Sequence, residues 1–176
     1  MTIRLLIFAL LLSVTVACNS GSEKTPDSTG PGRKDMADLN RYFIQKDRER
    51  IESYIERKDL KMTETSTGLW YMIQKEGEGA LLRDYDRIVL EYKCSLLDGT
   101  VCYSSENDGV KEVILGKSEL EAGLYQGLKM LRGGGEALFI IPPFLAHGLT
   151  GDGNKIPPRS VIVYYVKIRE VQKFME

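Results

Sequence analysis

The chain has 176 residues, of which 43% are hydrophobic, and its 24 lysines and arginines nearly balance its 25 aspartates and glutamates. This length and composition predict one ordinary domain with a hydrophobic core, together with a tail. The balanced charge does not indicate a nucleic acid or a strongly acidic partner, so we expect no nucleic-acid binding.

Residues 1–17 are predicted to be a secretory signal peptide. The segment "MTIRLLIFALLLSVTVAC" carries one positive charge, at Arg4, before an apolar run that is shorter than the roughly 20 residues of a bilayer span. Because it ends on Cys18, it resembles the signals of bacterial lipoproteins, in which this cysteine is lipidated and becomes the mature N-terminus. That resemblance implies a lipid anchor to a bacterial membrane and a location in the cell envelope, periplasmic or on the outer surface. An ordinary secreted protein is the alternative.

Residues 18–34 are small, polar and rich in Gly, Pro and Ser, and they predict a flexible tether. An amphipathic helical region follows at 35–62, with the helix itself over 35–58 and Asp35 as its N-cap. Its apolar face comprises Leu39, Phe43, Ile51, Tyr54 and Ile55. Two interpretations stay open, a helix that packs on its own domain and a helix that forms a homodimer. Mixed acids and bases on the polar face disfavour a membrane-surface helix.

Residues 63–176 are predicted to form an α+β domain. From Thr67 the apolar period changes from that of a helix to that of strands, and a short helix lies in "SELEAGLYQGLKML", where Ser118 and Glu121 are spaced as a capping box. The strand segments are "GLWYMIQ", "RIVLEYKCSLL", "VCYSS", "KEVIL", "EALFII" and "SVIVYYVKI". The pattern predicts five or six antiparallel strands, in a curved sheet folded around one short helix.

The segment "CSLLDGTVC" predicts a hairpin that turns at Asp98-Gly99. A two-residue turn pairs Cys94 with Tyr103, so the thiols of Cys94 and Cys102 face opposite sides of the sheet unless a bulge shifts the register. Export favours disulfides in general, but this geometry disfavours one here.

Most catalytic constellations are excluded by what the chain lacks. It has a single histidine, His147, and scattered cysteines, so we expect no metal site. Asp152 lies near His147, but no Ser or Cys stands in a nucleophile-elbow setting, and "LRGGGEA" lacks the GK[ST] of a phosphate loop. We therefore expect no cofactor. What remains is a reaction without acid, base or nucleophile, such as rotation about an X-Pro bond, which a pocket assists by binding the twisted amide in an apolar setting.

Residues 68–171 resemble the FK506-binding (FKBP) family of peptidyl-prolyl cis-trans isomerases. The resemblance rests on "VLEYKC", "GTVCYSS", "VILGKSELEAGLYQGLKMLRGGGEALFIIPPFLAHG" and "IPPRSVIVYYVKI", in that order and spacing. It implies a half-barrel of antiparallel sheet wrapped on a short helix. A single such domain behind a lipoprotein signal, tether and charged helix also resembles exported bacterial isomerase lipoproteins, including gliding-associated ones.

The resemblance also implies a proline pocket beneath a flap at 143–158. Matching or conservatively replaced positions are Tyr92, Leu120, Ile156 and Tyr164, and Glu121 stands where a backbone N–H binds the substrate carbonyl. That N–H is available only if the helix begins after the proposed capping box, which is the interpretation we favour. His147 stands where the family has a tyrosine, and it either donates the same hydrogen bond or is a solvated loop residue.

Four positions depart from the family pattern. Cys102 replaces an aromatic wall, Tyr103 an acid, Leu124 a tryptophan floor and Lys111 another aromatic, so Cys102, Tyr103 and Leu124 are weaker pocket assignments. The resemblance implies a membrane-tethered isomerase that binds proline-containing polypeptides and assists the folding of exported proteins. The alternative is a catalytically weak or inactive chaperone or binding module of the same fold.

Overall fold

The computed structural model describes residues 33–174, and the packing described below is that of residues 38–174. The predicted signal peptide 1–17, the predicted lipidation site Cys18 and nearly all of the predicted tether 18–34 lie outside the described residues.

The first element is a long helix, α1, which spans Arg33–Arg57. Asp35 lies inside its first turn, so its prediction as the N-cap is wrong; its carboxylate is placed where it interacts favourably with the helix dipole instead. The helix ends with Asp59 in the left-handed conformation, at φ 49°, and with a hydrogen bond from the Leu60 N–H to the Ile55 carbonyl. The region predicted as 35–62 is therefore helical only as far as Arg57.

Seven strands form one sheet, of which the sequence predicted six. They are β1 Thr63–Glu64, β2 Trp70–Lys75, β3 Arg87–Leu96, β4 Val101–Ser104, β5 Lys111–Ile114, β6 Glu136–Ile141 and β7 Ile162–Gln172. Two short helices, α2 Ser105–Asp108 and α3 Ala122–Leu128, and a 3-10 turn at Pro143–Leu145 complete the structure. The strand that the sequence missed, β1, has only two residues and carries no periodic signal.

All strand pairs are antiparallel, and the sheet order is β1-β2-β6-β7-β3-β4, with β5 also paired to β3. The long strands β3 and β7 pair along almost their whole length, from Arg87 opposite Gln172 to Leu96 opposite Ile162. The strand β7 therefore lies in the middle of the sheet, between β6 and β3. The predicted α+β class with an antiparallel sheet and few helices is confirmed.

Both faces of the central strands are buried. On one face α3 covers what we call the main core, which includes Leu124, Phe139, Ile162 and Tyr164. On the other face Ile51 of α1 packs with Ile140, Val161 and Val163, a group that we call the helix core. Neighbouring residues of β6 and β7 point to opposite faces, which is why "EALFII" and "SVIVYYV" are almost uninterrupted apolar runs.

A polar contact fixes α1 to the segment that follows Pro157-Pro158. The Arg159 guanidinium lies 3.5 Å from the centroid of the Phe43 ring, and its Nη2 lies 3.5 Å from Oδ2 of Asp47. Asp47 is buried, and its other oxygen accepts a hydrogen bond of 3.4 Å from Arg50. The helix thus packs on its own domain through both apolar and ionic contacts.

Within residues 33–174, no helix combines the length and the apolar character that crossing a bilayer requires. Across the same residues, no three His, Cys, Asp or Glu side chains are grouped closely enough to hold a metal ion.

Candidate functional site

The short helix α3 positions one side of the candidate site. It begins at Ala122, and the Ser118 hydroxyl accepts a hydrogen bond of 2.9 Å from the Ile114 N–H rather than capping the helix. The capping box is therefore absent and Glu121 is the N-cap residue, without a side-chain cap. Among the described residues, no protein acceptor receives the Glu121 N–H.

Two glycines let α3 lie against the sheet at close range. A Cβ at Gly127 would stand 2.7 Å from the Phe139 ring, and one at Gly123 would stand 2.4 Å from the Ile141 side chain. Because any larger residue would push the helix away from β6, Gly123 and Gly127 allow α3 to pack closely on the face of the sheet that carries the main core.

The aromatic and aliphatic residues predicted for the pocket lie together. The rings of Tyr92 and Tyr164 are 6.2 Å apart, and Leu120 packs against the same main core. Leu124, Ile156 and Tyr164 are only 0%, 2% and 3% exposed, so a ligand that contacts them must displace residues that cover them.

A polar bridge closes the mouth of this site. Oε1 of Glu121 accepts a hydrogen bond of 3.2 Å from the Tyr164 hydroxyl and lies 3.2 Å from Nε2 of His147. The side chains of Glu121 and His147 are 11% and 26% exposed, so the pair lies between solvent and the buried Tyr164. His147 is thus in contact with the site rather than isolated in its loop.

The loop that carries His147 is held by Asp152. Its Oδ1 accepts hydrogen bonds from the N–H groups of Asn154, at 2.9 Å, and Ile156, at 2.8 Å, while its other oxygen accepts one from the Tyr103 hydroxyl. The Ile156 carbonyl in turn accepts from the Asp152 N–H at 3.1 Å. These hydrogen bonds hold Ile156 in the site and join the loop to β4.

The β3–β4 hairpin supplies Tyr103 and Cys102. Cys94 pairs with Tyr103 as predicted, but Ser95 pairs with Val101, so a bulge lies between these pairs. The bulge turns Cys102 into the main core, where Cys94 also lies. Both thiols are free, and that of Cys102 donates to the Lys155 carbonyl at 3.5 Å. The bulge thus changed the facing that the two-residue turn predicted, and no disulfide joins them.

The site keeps its phenols and thiols protonated. Burial, and then the charge of Glu121, raise the pKa of Tyr164, while burial and the neighbouring Cys102 raise the pKa of Cys94 to about 12. Burial works against the charged form of Asp152, but hydrogen bonds from Tyr103 and two backbone N–H groups outweigh it and lower the pKa. The site therefore offers neutral hydroxyl and thiol donors beside carboxylates, and no nucleophile is activated.

Residues 79–169 match the family model described as FKBP-type peptidyl-prolyl cis-trans isomerase. The chain belongs to this family. The FKBP-type domain is 39% identical over 107 residues, or 61% of this chain and 39% of the relative, to a probable FKBP-type peptidyl-prolyl cis-trans isomerase FkpA from Neisseria meningitidis serogroup B. FkpA from Escherichia coli strain K12 is 33% identical over 139 residues, or 79% of this chain and 48% of the relative.

The same similarity appears in three dimensions. The crystal structure of FkpA from Escherichia coli superposes with a TM-score of 0.63 at 27% identity, over 80% of this chain and 73% of that chain. The aligned part of this chain spans less than half the length of each of these two curated relatives.

The structure of this FKBP-type domain brings nine of the predicted site residues into direct or neighbouring contact. Tyr92, Cys102, Tyr103, Leu120, Leu124, Ile156 and Tyr164 share the main core, and Glu121 and His147 close it. Lys111 instead lies on β5 opposite Leu90. Sequence analysis missed the structural role of Asp152. The segment "DGN" carried a signal for it, since an Asp side chain in a turn commonly accepts a hydrogen bond from the backbone N–H two residues later.

Proposed function

We propose that this protein is a peptidyl-prolyl cis-trans isomerase whose site is the concavity between α3, β3, β7 and the 143–158 flap. The observation that carries the proposal is the Glu121 N–H at the start of α3, which has no protein acceptor among the described residues, while the side chain of the same residue contacts Tyr164 of the main core. A directed donor beside apolar walls is what binding of a twisted amide needs.

Rotation about an X-Pro bond is slow because the amide loses its resonance in the transition state, with a barrier of about 18–20 kcal/mol. The twisted amide has less charge separation than the planar one, so an apolar, water-poor site favours it. In this proposal Tyr92, Leu120, Ile156 and Tyr164 enclose the proline ring, with Cys102, Tyr103 and Leu124 behind them. The Glu121 N–H and the His147 imidazole donate to substrate carbonyls.

The test is exchange between the cis and trans forms of a prolyl peptide, measured by NMR magnetisation transfer with and without the protein. We expect catalysed exchange that Ile156→Ala weakens, because that side chain is 2% exposed within the site. Leu149→Ala, in the same flap but on an exposed side chain, is the matched control. Exchange that the protein leaves at its uncatalysed rate would refute the isomerase assignment.

A second candidate is a binding or chaperone module without useful turnover. The closed mouth favours it, since Glu121 and His147 occupy the position through which a peptide would pass. Such a module should suppress the aggregation of an unfolded, proline-free polypeptide while leaving prolyl exchange unaffected. Suppression together with catalysed exchange favours the isomerase that also assists folding.

We further propose that Cys18 is lipidated and tethers the protein to a bacterial membrane in the cell envelope, where its clients are exported proteins. The short signal ending on a cysteine before a polar segment supports this. Cys18→Ser should move the protein from the detergent phase to the aqueous phase on phase separation. The homodimer through helix 35–58 stays a prediction, which light scattering of the purified chain will test.

A further inference from the structure

Glu121 is an unusual residue for the place that it occupies. Its side chain is 11% exposed and contacts Tyr164, which lines a site proposed to bind an apolar proline ring. A carboxylate removed from water in this way needs partners, and it has two, the Tyr164 hydroxyl and the His147 imidazole. One partner is buried on β7, and the other is carried on a loop that must move for the site to open.

Other carboxylates lie near the mouth of the site, as Glu121 does. Asp108 and Glu121 both act on the Tyr92 hydroxyl, and Asp152 and Glu121 both act on the Cys94 thiol. One cation of this neighbourhood, Lys155, lies 4.7 Å from the centroid of the Tyr103 ring. The charge of this lysine offsets only part of the charge of the three carboxylates Asp108, Glu121 and Asp152.

We propose that Glu121 makes this site selective for prolyl peptides in which Lys or Arg precedes the proline. The inference rests on the proposed function and names its substrate class. The carbonyl that rotates belongs to the residue before the proline, so the side chain of that residue passes the mouth as the peptide binds. The Glu121 carboxylate and the Glu121 N–H belong to one residue, so a peptide held by the N–H lies within reach of the carboxylate.

A cationic substrate side chain can replace the partner that the Glu121 carboxylate loses when a peptide binds. When the flap opens, the carboxylate of Glu121 loses His147 and would be left in a half-buried position with Tyr164 alone. An ammonium or guanidinium replaces the lost partner, whereas an acidic side chain adds a second anion at short range. A neutral side chain does neither, so its rate should lie between the two.

The experiment measures kcat/KM by NMR magnetisation exchange for acetylated peptides Ala-Xaa-Pro-Phe with Lys, Leu or Glu before the proline. This method uses no coupling protease, so it has no charge preference of its own. We expect the Lys peptide to exceed the Glu peptide by about tenfold, from the attraction of one exposed pair and the repulsion of another. The ratio should fall in about 0.5 M salt, where the Debye length shortens.

Glu121→Gln should reduce the Lys-to-Glu ratio to near one, because it keeps an acceptor for Tyr164 but removes the charge. The matched control is Glu119→Gln, which removes the same charge from an exposed side chain two positions away and should leave the ratio high. Comparing peptides within each variant cancels any change in overall activity. A ratio that Glu121→Gln leaves unchanged, or that both variants lower equally, overturns the inference. Wild type that accelerates none of the peptides would instead refute the proposed function.

Discussion

Gly151 and Gly153 have the same backbone conformation, with φ of 73°, but different surroundings. A Cβ on Gly151 would stand 2.2 Å from the Ile156 carbonyl oxygen and 2.8 Å from the Pro157 carbonyl carbon, whereas a Cβ on Gly153 would meet nothing within 4 Å. The two glycines therefore separate the cost of a left-handed residue from the cost of a collision inside the flap.

We predict that Gly153→Ala lowers the free energy of unfolding by only about 1 kcal/mol, the cost of the conformation. Gly151→Ala should lower it further and should also reduce kcat/KM for a prolyl peptide, because Ile156 must shift. Thermal unfolding and magnetisation exchange on both variants will check this. Equal effects in the two variants would mean that the flap absorbs the collision without moving Ile156.

Asp86 is a fully buried carboxylate that holds the C-terminal end of the chain. It accepts hydrogen bonds from Nζ of Lys173, at 2.8 Å, and from the N–H groups of Phe174 and Arg83, each at 3.0 Å. Burial opposes its charged form, but these bonds, led by that of Lys173, lower its pKa below the usual carboxyl value. The contribution to stability is therefore complete above about pH 4 and is lost as pH falls through the lower folded-state pKa.

We predict that Asp86→Asn lowers the free energy of unfolding by about 1–3 kcal/mol at pH 7, since a buried donor loses its acceptor. The difference in unfolding free energy between the variant and the wild type should shrink below about pH 4. In that range the Asp86 carboxyl of the wild type takes up a proton on unfolding, which lowers the stability of the wild type. Denaturant unfolding from pH 2 to pH 7 will measure it. A difference that stays constant across this range would show that charge is not involved.

The helix α1 is part of the fold of the domain rather than an appendage. Ile51 is fully buried in the helix core, whereas Ile44, two turns earlier, is half exposed. Removing the helix would expose Ile140, Val161 and Val163 on a central part of the sheet. The helix is therefore needed for stability even though no residue of α1 belongs to the proposed pocket.

We predict that Ile51→Ala lowers the free energy of unfolding by roughly 2–5 kcal/mol, the usual range for a buried Ile. Ile44→Ala, the matched exposed change, should cost less than about 0.5 kcal/mol. Chemical unfolding of both variants will decide. If the two variants are equally stable, the contact between α1 and the sheet does not persist in solution.

The strands were predictable from the sequence, whereas the starts of the helices α1 and α3 were not. Alternation in "RIVLEYKCSLL" and the apolar runs of β6 and β7 fix strand positions because each side chain must face a core. The predicted N-cap and capping box were wrong, because Asp35 lies inside the helix and the Ser118 hydroxyl accepts a hydrogen bond from the Ile114 N–H instead. A polar residue can cap, turn or pair, and local sequence does not decide among these.

In the candidate site, too, some features were predictable from the sequence and others were not. Its apolar members were predictable because the resemblance assigns positions, and the packing of the main core follows those positions. The Glu121–His147 contact was not, since it joins α3 to a loop 26 residues later and depends on how the flap folds. The bulge before Cys102 was likewise invisible, because a two-residue turn and a bulged turn share the Asp-Gly signal.

At the scale of the whole folded domain, stability should be insensitive to thiol redox conditions. Cys94 and Cys102 are buried and free, and the pKa of Cys94 of about 12 leaves almost no thiolate at neutral pH. In a Cys18→Ser chain, which keeps only these two thiols, we predict the same melting temperature with and without reductant. Alkylation should label neither cysteine in buffer and both in denaturant, as mass spectrometry will show. A melting temperature that reductant lowers would reveal a disulfide.

The two-sided strand β7 also limits how this chain can change length. Tyr164 faces the proposed pocket and Val163 faces α1, so adjacent residues serve opposite sides of one ribbon. An insertion or deletion in the loop 148–155 leaves the facing of β7 unchanged, although it disturbs the Asp152 contact that holds Ile156, whereas one between 161 and 166 would exchange the residues beyond it between the two faces. Evolution of this domain should therefore permit only substitutions in β7. Engineered insertions should likewise avoid this strand.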